Sequence, residues 1–232
     1  MNFKVITLFP EFFSSPFSTG LLGKACDSEI LNIDIIDLRD FSEDRLRRCD
    51  DYPYGGGSGM VIKPEPVFHA MDKHHSKKSR VLLTSPGGRP LDQDFVKELS
   101  KEEEVIIICG HYEGVDHRVV EAWVDDEVSI GDYVLSGGEF AALVIVDAAA
   151  RYIPGFMSNS SSLEEESFED HLLEYPQYTR PESFRDYSVP DVLLSGHHKK
   201  IEDWRYKERL FKTRKQRPDL YKKFILSKIL GD

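Results

Sequence analysis

This sequence predicts an α/β fold on a mainly parallel sheet, followed by a small all-helical C-terminal unit. Three observations carry that expectation. Five Val- and Ile-rich runs alternate with helix-like stretches over the first 152 residues, and none has the strict polar alternation of a sheet with one wet face. Glycine-rich loops follow three of those runs, at the strand ends where open α/β sheets take their ligands. The composition then changes after Ile153-Pro154-Gly155, and the chain closes on a strongly basic stretch.

Taken in order, the strand-like runs are 3–8, 31–36, 80–83, 105–109 and 127–130, each bounded by turn residues. Between them, residues 20–27, 66–77, 92–99, 115–122 and 139–152 carry helical patterning. A turn-rich linker is expected over 158–174, with serines at 158 and 160–162 and the acidic Glu164-Glu165-Glu166. In Tyr175-Pro176-Gln177-Tyr178-Thr179-Arg180-Pro181-Glu182 the prolines push their neighbours toward extended backbone. Residues 201–209 and 218–230 are helical, with Trp204, Tyr221, Phe224, Ile225 and Ile229 expected to face inward. The division expected is therefore 1–157, 158–174 and 175–232.

At 232 residues and 40% hydrophobic content the chain can bury a sizeable core. The start lacks the apolar stretch and cleavage site of a signal peptide, and no apolar run reaches membrane-spanning length. Cys26, Cys49 and Cys109 are an odd number without metal-type spacing. A soluble protein of a reducing cytoplasm follows. Net charge is −11, which by itself argues against a nucleic-acid partner. Its distribution reverses that. Residues 196–232 hold 12 Lys and Arg against 5 Asp and Glu, while 1–195 hold 18 against 36, so a basic unit suited to a polyanion sits behind an acidic one.

The glycine loops are the chemical signal. Ser129-Ile130-Gly131-Asp132-Tyr133-Val134-Leu135-Ser136-Gly137-Gly138-Glu139 joins a strand to a helix, and its three glycines allow backbone to approach a ligand closely. Leu83-Thr84-Ser85-Pro86-Gly87-Gly88-Arg89 and Cys109-Gly110-His111-Tyr112-Glu113-Gly114-Val115-Asp116 follow two other strands. Loops at corresponding strand ends converge on one small-molecule pocket. A fourth, Tyr54-Gly55-Gly56-Gly57-Ser58-Gly59-Met60, has neither the Gly-Lys-Ser/Thr of a P-loop nor the dinucleotide glycine spacing, which sets aside nucleotide hydrolysis and nicotinamide chemistry.

Together with Arg151-x-Ile153-Pro154-Gly155, Tyr178-Thr179-Arg180-Pro181 and Leu193-Leu194-Ser195-Gly196, these loops make nearly the whole chain resemble the bacterial tRNA (guanine-N1)-methyltransferases of the TrmD type. The resemblance implies a knotted SPOUT-like fold with a deep trefoil knot, a homodimer, and a C-terminal helical domain that holds tRNA. It implies methyl transfer from S-adenosylmethionine to guanine N1 at position 37, on the 3′ side of the anticodon. By position, the cofactor residues are Leu83, Thr84, Ser85, Pro86, Gly88, Gly110, Tyr112, Glu113, Ser129, Ile130, Gly131, Tyr133, Leu135, Gly137, Gly138 and Ala141. Glu113 faces the guanine in the family. Magnesium is a metal the family is thought to use, and no Asp/Glu/His cluster in the sequence identifies its ligands.

Guanine N1 carries a proton at neutral pH, so the implied reaction needs a general base and a cation for charge developing on O6. Arg151 matches the family's cation, although a cation there also suits a helix C-terminus. Glu166 stands at the family's base, where Asp-Ser-Phe is replaced by Glu166-Ser167-Phe168; Glu165 and Asp170 are alternative bases, and a merely solvated acidic linker is the other reading. Ala141 replaces a usual Pro, and Gln177 a usual His. Two other readings remain open on the residues: a knotted ribose 2′-O-methyltransferase, and an RNA-binding module without catalysis.

Overall fold

The structure, a computed structural model, describes residues 1–157 and 166–230. It divides into two compact units, Met1–Ser158 and Asn159–Asp232. In the first, β1 (Asn2–Thr7), β2 (Asn32–Asp37), β5 (Ser79–Pro90), β6 (Glu104–Cys109) and β7 (Asp126–Ser129) form one sheet in the order β2-β1-β6-β5-β7. Every neighbouring pair is parallel. Two-residue strands β3 (Asp50–Asp51) and β4 (Val61–Ile62) pair separately, and the sequence reading did not anticipate them.

Helices cover both faces, which explains why the strands lack polar alternation. On one face Phe3, Val5, Leu82, Val105 and Ile107 pack with Phe95 and Leu99 of α3 (Gln93–Leu99) and with Ala142, Ile145, Val146 and Ala149 of α5 (Glu139–Ala150). On the other, Ile6, Val81, Leu83, Ile106 and Ile108 pack with Val67, Ala70 and Met71 of α2 (Pro64–His74) and Val119 of α4 (His117–Trp123). Odd and even residues of β6 thus serve different cores. Helix α1 (Gly20–Asp27) has the bounds the patterning indicates.

Strand β5 runs well past the expected stop at Leu83. Thr84 and Arg89 both lie opposite Val128 of β7, so the four residues between them bulge out and the strand resumes pairing at Arg89 and Pro90. Helix α4 starts two residues later than expected, because the Asp116 carboxylate caps it by accepting from Arg118 N at 3.0 Å. Helix α5 stops at Ala150 instead of 152, with Arg151 as its C-cap.

The second unit holds α6 (Asp191–Leu194), α7 (His198–Gln216) and α8 (Pro218–Leu230), together with a hairpin of β8 (Ser183–Phe184) and β9 (Tyr187–Ser188). The hairpin corrects the expectation of an all-helical unit: strands of two residues leave no periodic signal. Leu172, Tyr175, Thr213, Leu220 and Phe224 are buried there. Ile225 and Ile229, expected inward, are exposed, because the buried stripe of α8 runs through Leu220 and Phe224, one helical turn apart. Thr213 Oγ1 accepts from Leu173 N at 2.8 Å and donates to Arg209 O at 2.7 Å. Residues 158–165 of the expected linker lie outside the described residues. Among the described residues no helix is long and apolar enough to cross a membrane.

Candidate functional site

A cavity of about 420 Å³ opens beyond the carboxyl ends of β6 and β7 and beside the bulge of β5, within the size range of small-molecule and cofactor sites. Three loops are locked together at its floor. Gly110 N donates to Thr84 Oγ1 at 3.0 Å, Gly138 N donates to Gly110 O at 2.7 Å, and His111 bridges Gly137 in antiparallel fashion. A side chain would break this contact. A Cβ on Gly110 would sit 2.7 Å from Thr84 O, and one on Gly138 would strike Thr84 Oγ1 and lie 2.8 Å from Gly110 N.

Of the residues the resemblance assigns to the cofactor, Leu83, Thr84, Ser85, Pro86, Gly110, Tyr112, Glu113, Ser129, Ile130, Gly131, Tyr133, Leu135, Gly137, Gly138 and Ala141 line this cavity. Gly88 does not. It lies against the backbone of β7, where a Cβ would be 2.6 Å from Glu127 O, so its glycine serves the β5–β7 bulge. The cavity also takes in His111, Gly114, Val115, His117, Val120, Glu127, Val128, Val134 and Ser136, which the sequence reading missed. Most lie inside the same loops; His117 and Val120 belong to α4, whose approach to the cavity leaves no mark in the sequence.

The 54–60 loop flanks the 111–116 loop. Glu113 N donates to Met60 O at 3.0 Å, Ile62 N to Gly114 O at 2.9 Å, and Asp116 N to Ile62 O at 2.9 Å. Gly59, at φ +95°, passes so close to the exposed Glu113 side chain that a Cβ would lie 2.6 Å from its Cγ. Tyr112 adopts φ 58°, a left-handed conformation uncommon for an aromatic residue. Burial, and after it the Asp50 charge, push its phenol up. The Arg118 guanidinium, through its side-chain hydrogen bonds, holds the Asp116 carboxyl below the usual range. Cys109, fully enclosed at the end of β6, has its thiol pushed well up by burial first and by the Glu139 charge second, so it is a packing residue and not a nucleophile.

Backbone groups and small or apolar side chains dominate the cavity, and Glu113 and Glu127 are its carboxylates. Such a lining suits a flat heterocycle whose edge is read by peptide N–H and C=O groups. Arg151 is half-buried at the C-cap of α5 in the first unit. Glu166 is half-buried in the second unit, beside Ser167, whose Oγ accepts from Glu174 N at 3.0 Å. Asp170 is exposed, and Glu165 lies outside the described residues. Among the described residues no group of three or more His, Cys, Asp or Glu side chains could hold a metal ion.

Comparison with known proteins gives a concordant result. The family described as tRNA (Guanine-1)-methyltransferase TrmD matches residues 1–223. A tRNA (guanine-N(1)-)-methyltransferase of Alkaliphilus oremlandii is 50% identical over 236 residues, covering 98% of this chain and 95% of its own. Proteins of the same name from Brevibacillus brevis and Treponema denticola are each 51% identical, over 98% and 96% of this chain and 94% and 91% of theirs.

Proposed function

The chain belongs to the tRNA (guanine-1)-methyltransferase TrmD family and is a tRNA (guanine-N1)-methyltransferase; on that premise we propose that S-adenosylmethionine is the donor and guanine 37, 3′ to the anticodon, the acceptor. The observation that carries the donor is the glycine cradle: Gly110 and Gly138 meet Thr84 with no space for a Cβ and line a 420 Å³ cavity. Leu83, Pro86, Ile130, Leu135 and Ala141 give it the apolar walls an adenine ring needs. When bound, S-adenosylmethionine supplies an electrophilic methyl group on a sulfonium. The deep trefoil knot implied by the resemblance is part of the same proposal, supported by the close interlock of the 84–89, 109–116 and 129–138 loops.

The chain's own residues then have three tasks. Glu166 accepts the N1 proton as general base, which frees the lone pair that attacks carbon. Arg151 faces the negative charge that develops on O6, and Glu113, at the cavity and against the 54–60 loop, orients the guanine. The target base leaves its stack to reach them. No step is assigned to magnesium, for which the described residues offer no ligand cluster.

A homodimer is supported by the outward side of α5, where Phe140 and Val144 are exposed at i,i+4 spacing, and by exposed Val134 in the adjoining loop. The basic second unit holds tRNA, and the substrate places the enzyme in the cytoplasm. The test is direct. Incubation with unmodified tRNA and methyl-labelled S-adenosylmethionine should yield labelled 1-methylguanosine at position 37. Label on a ribose 2′-oxygen would instead support a ribose methyltransferase, and absence of cofactor binding a non-catalytic RNA-binding module.

A further inference from the structure

Among the buried described residues, Glu139 is the one with an ionisable carboxylate, and it occupies the first position of α5 directly after the Gly137-Gly138 pair. Its Oε1 accepts from Thr7 Oγ1 at 2.8 Å, and that hydroxyl oxygen accepts from Phe9 N at 2.9 Å. The other oxygen meets the gap above Gly137. A Cβ there would lie 2.5 Å from His111 Nδ1 and closer still to Glu139 Oε2. His111 Nδ1 is itself buried and lacks a hydrogen-bond partner among the described residues. Its ring is fixed by Phe9 and Tyr112, with centroids at 5.0 and 4.5 Å.

A free carboxylate oxygen of the buried Glu139 and a buried, unpartnered ring nitrogen, both facing one small gap, are complementary together. Across this gap, wider than an ion pair, we propose that His111 carries a proton on Nδ1 aimed at Glu139 Oε2, and that the two close as a clasp over Gly137 that holds the Gly137-Gly138 loop against Gly110 in its donor-binding shape. Glu139 and His111 are thus positioning residues. Thr7, from β1, completes a chain that ties the ends of three strands to the N-terminus of α5. Gly137 is glycine because any side chain would fill the gap the clasp spans. In its neutral form such a histidine leaves Nε2 as an acceptor.

The link to donor binding rests on the proposed function, whereas the clasp does not, and the experiment separates them. Histidine ¹⁵N spectra of the full-length protein without ligand, with the His111 signals assigned by their loss in His111→Gln, should show Nδ1 protonated. In Glu139→Gln that signature should change, because an amide replaces the carboxylate. An unprotonated Nδ1 in the wild type overturns the clasp. By calorimetry, Glu139→Gln and His111→Gln should each weaken S-adenosylmethionine binding by about tenfold, the scale of one lost hydrogen bond. The double variant should bind no more weakly than the poorer single variant. Losses that multiply overturn the coupling. If Glu139→Gln does not fold, His111→Gln and Thr7→Val carry the binding measurement, and undiminished affinity in both overturns the positioning role. Wild-type protein that binds no S-adenosylmethionine refutes the donor assignment alone, and the tautomer result still decides the clasp.

Discussion

Glycines in this protein serve two distinct physical needs, and the difference sets what each substitution does. Gly55, Gly56 and Gly57 have positive φ with open space around them, so a side chain there costs backbone strain alone. Gly110 and Gly138 have ordinary backbone angles and no space, so a side chain must move another loop. Gly138→Val should therefore abolish S-adenosylmethionine binding in calorimetry while leaving tRNA binding intact; near-normal donor affinity would show that the cradle does not hold the donor. Glu166 presents a different case. Asp and Glu differ by only about 0.4 unit in reference pKa, so its longer side chain alters reach and not basicity. Glu166→Gln should bind donor normally and slow single-turnover methylation by about 10²–10⁴-fold, as loss of a general base does. A normal rate in Glu166→Gln with an inactive Glu165→Gln would move the base by one residue.

At the scale of elements, one joint ties the strands together away from the cavity. The Glu104 carboxylate at the start of β6 pairs with Lys4 of β1 at 2.8 Å and accepts from Ser76 at 3.2 Å and from Ser79 of β5. Burial works to raise this carboxyl, but the hydrogen bonds from Lys4 and the serines outweigh it and hold the pKa below the ordinary value. A lowered folded-state pKa means the stabilisation is fully present above the ordinary glutamate range and is lost as pH falls through the folded-state value. Glu104→Gln should thus lower Tm at pH 7, and the gap to wild type should close under acid; a constant gap would show that packing and not charge is at stake. Such side-chain joints left no trace in the sequence, although the strands did. The five sheet strands and α1 were legible because apolar runs between turn residues mark buried parallel strands. The 84–89 bulge, the hairpin and the outward side of α8 were not, since pairing partners and tertiary packing decide them. The glycine loops announced a pocket, while the approach of α4, which adds His117 and Val120, depends on three-dimensional placement.

For the whole molecule, charge and assembly make separable predictions. Lys199, Lys200, Lys207, Lys222 and Lys223 are exposed on α7 and α8 and belong to a stretch with a surplus of 7 positive charges. Replacing them together by Gln should weaken tRNA binding and flatten its salt dependence by about one unit of slope for each phosphate no longer neutralised, leaving donor binding alone. An unchanged slope would place the tRNA-binding surface elsewhere. The dimer is tested by mixing two inactive proteins. In the resemblance's architecture one subunit supplies the donor loops and the other the base, so a heterodimer of Gly138→Val and Glu166→Gln subunits has one site built from intact parts and one with both defects. Co-expression with two tags, followed by tandem purification, isolates that heterodimer. It should recover about half of wild-type activity per dimer, because one of two sites is whole. If the purified heterodimer is as inactive as its parents, each subunit carries a complete site of its own, and the exposed Phe140 and Val144 of α5 serve some other contact.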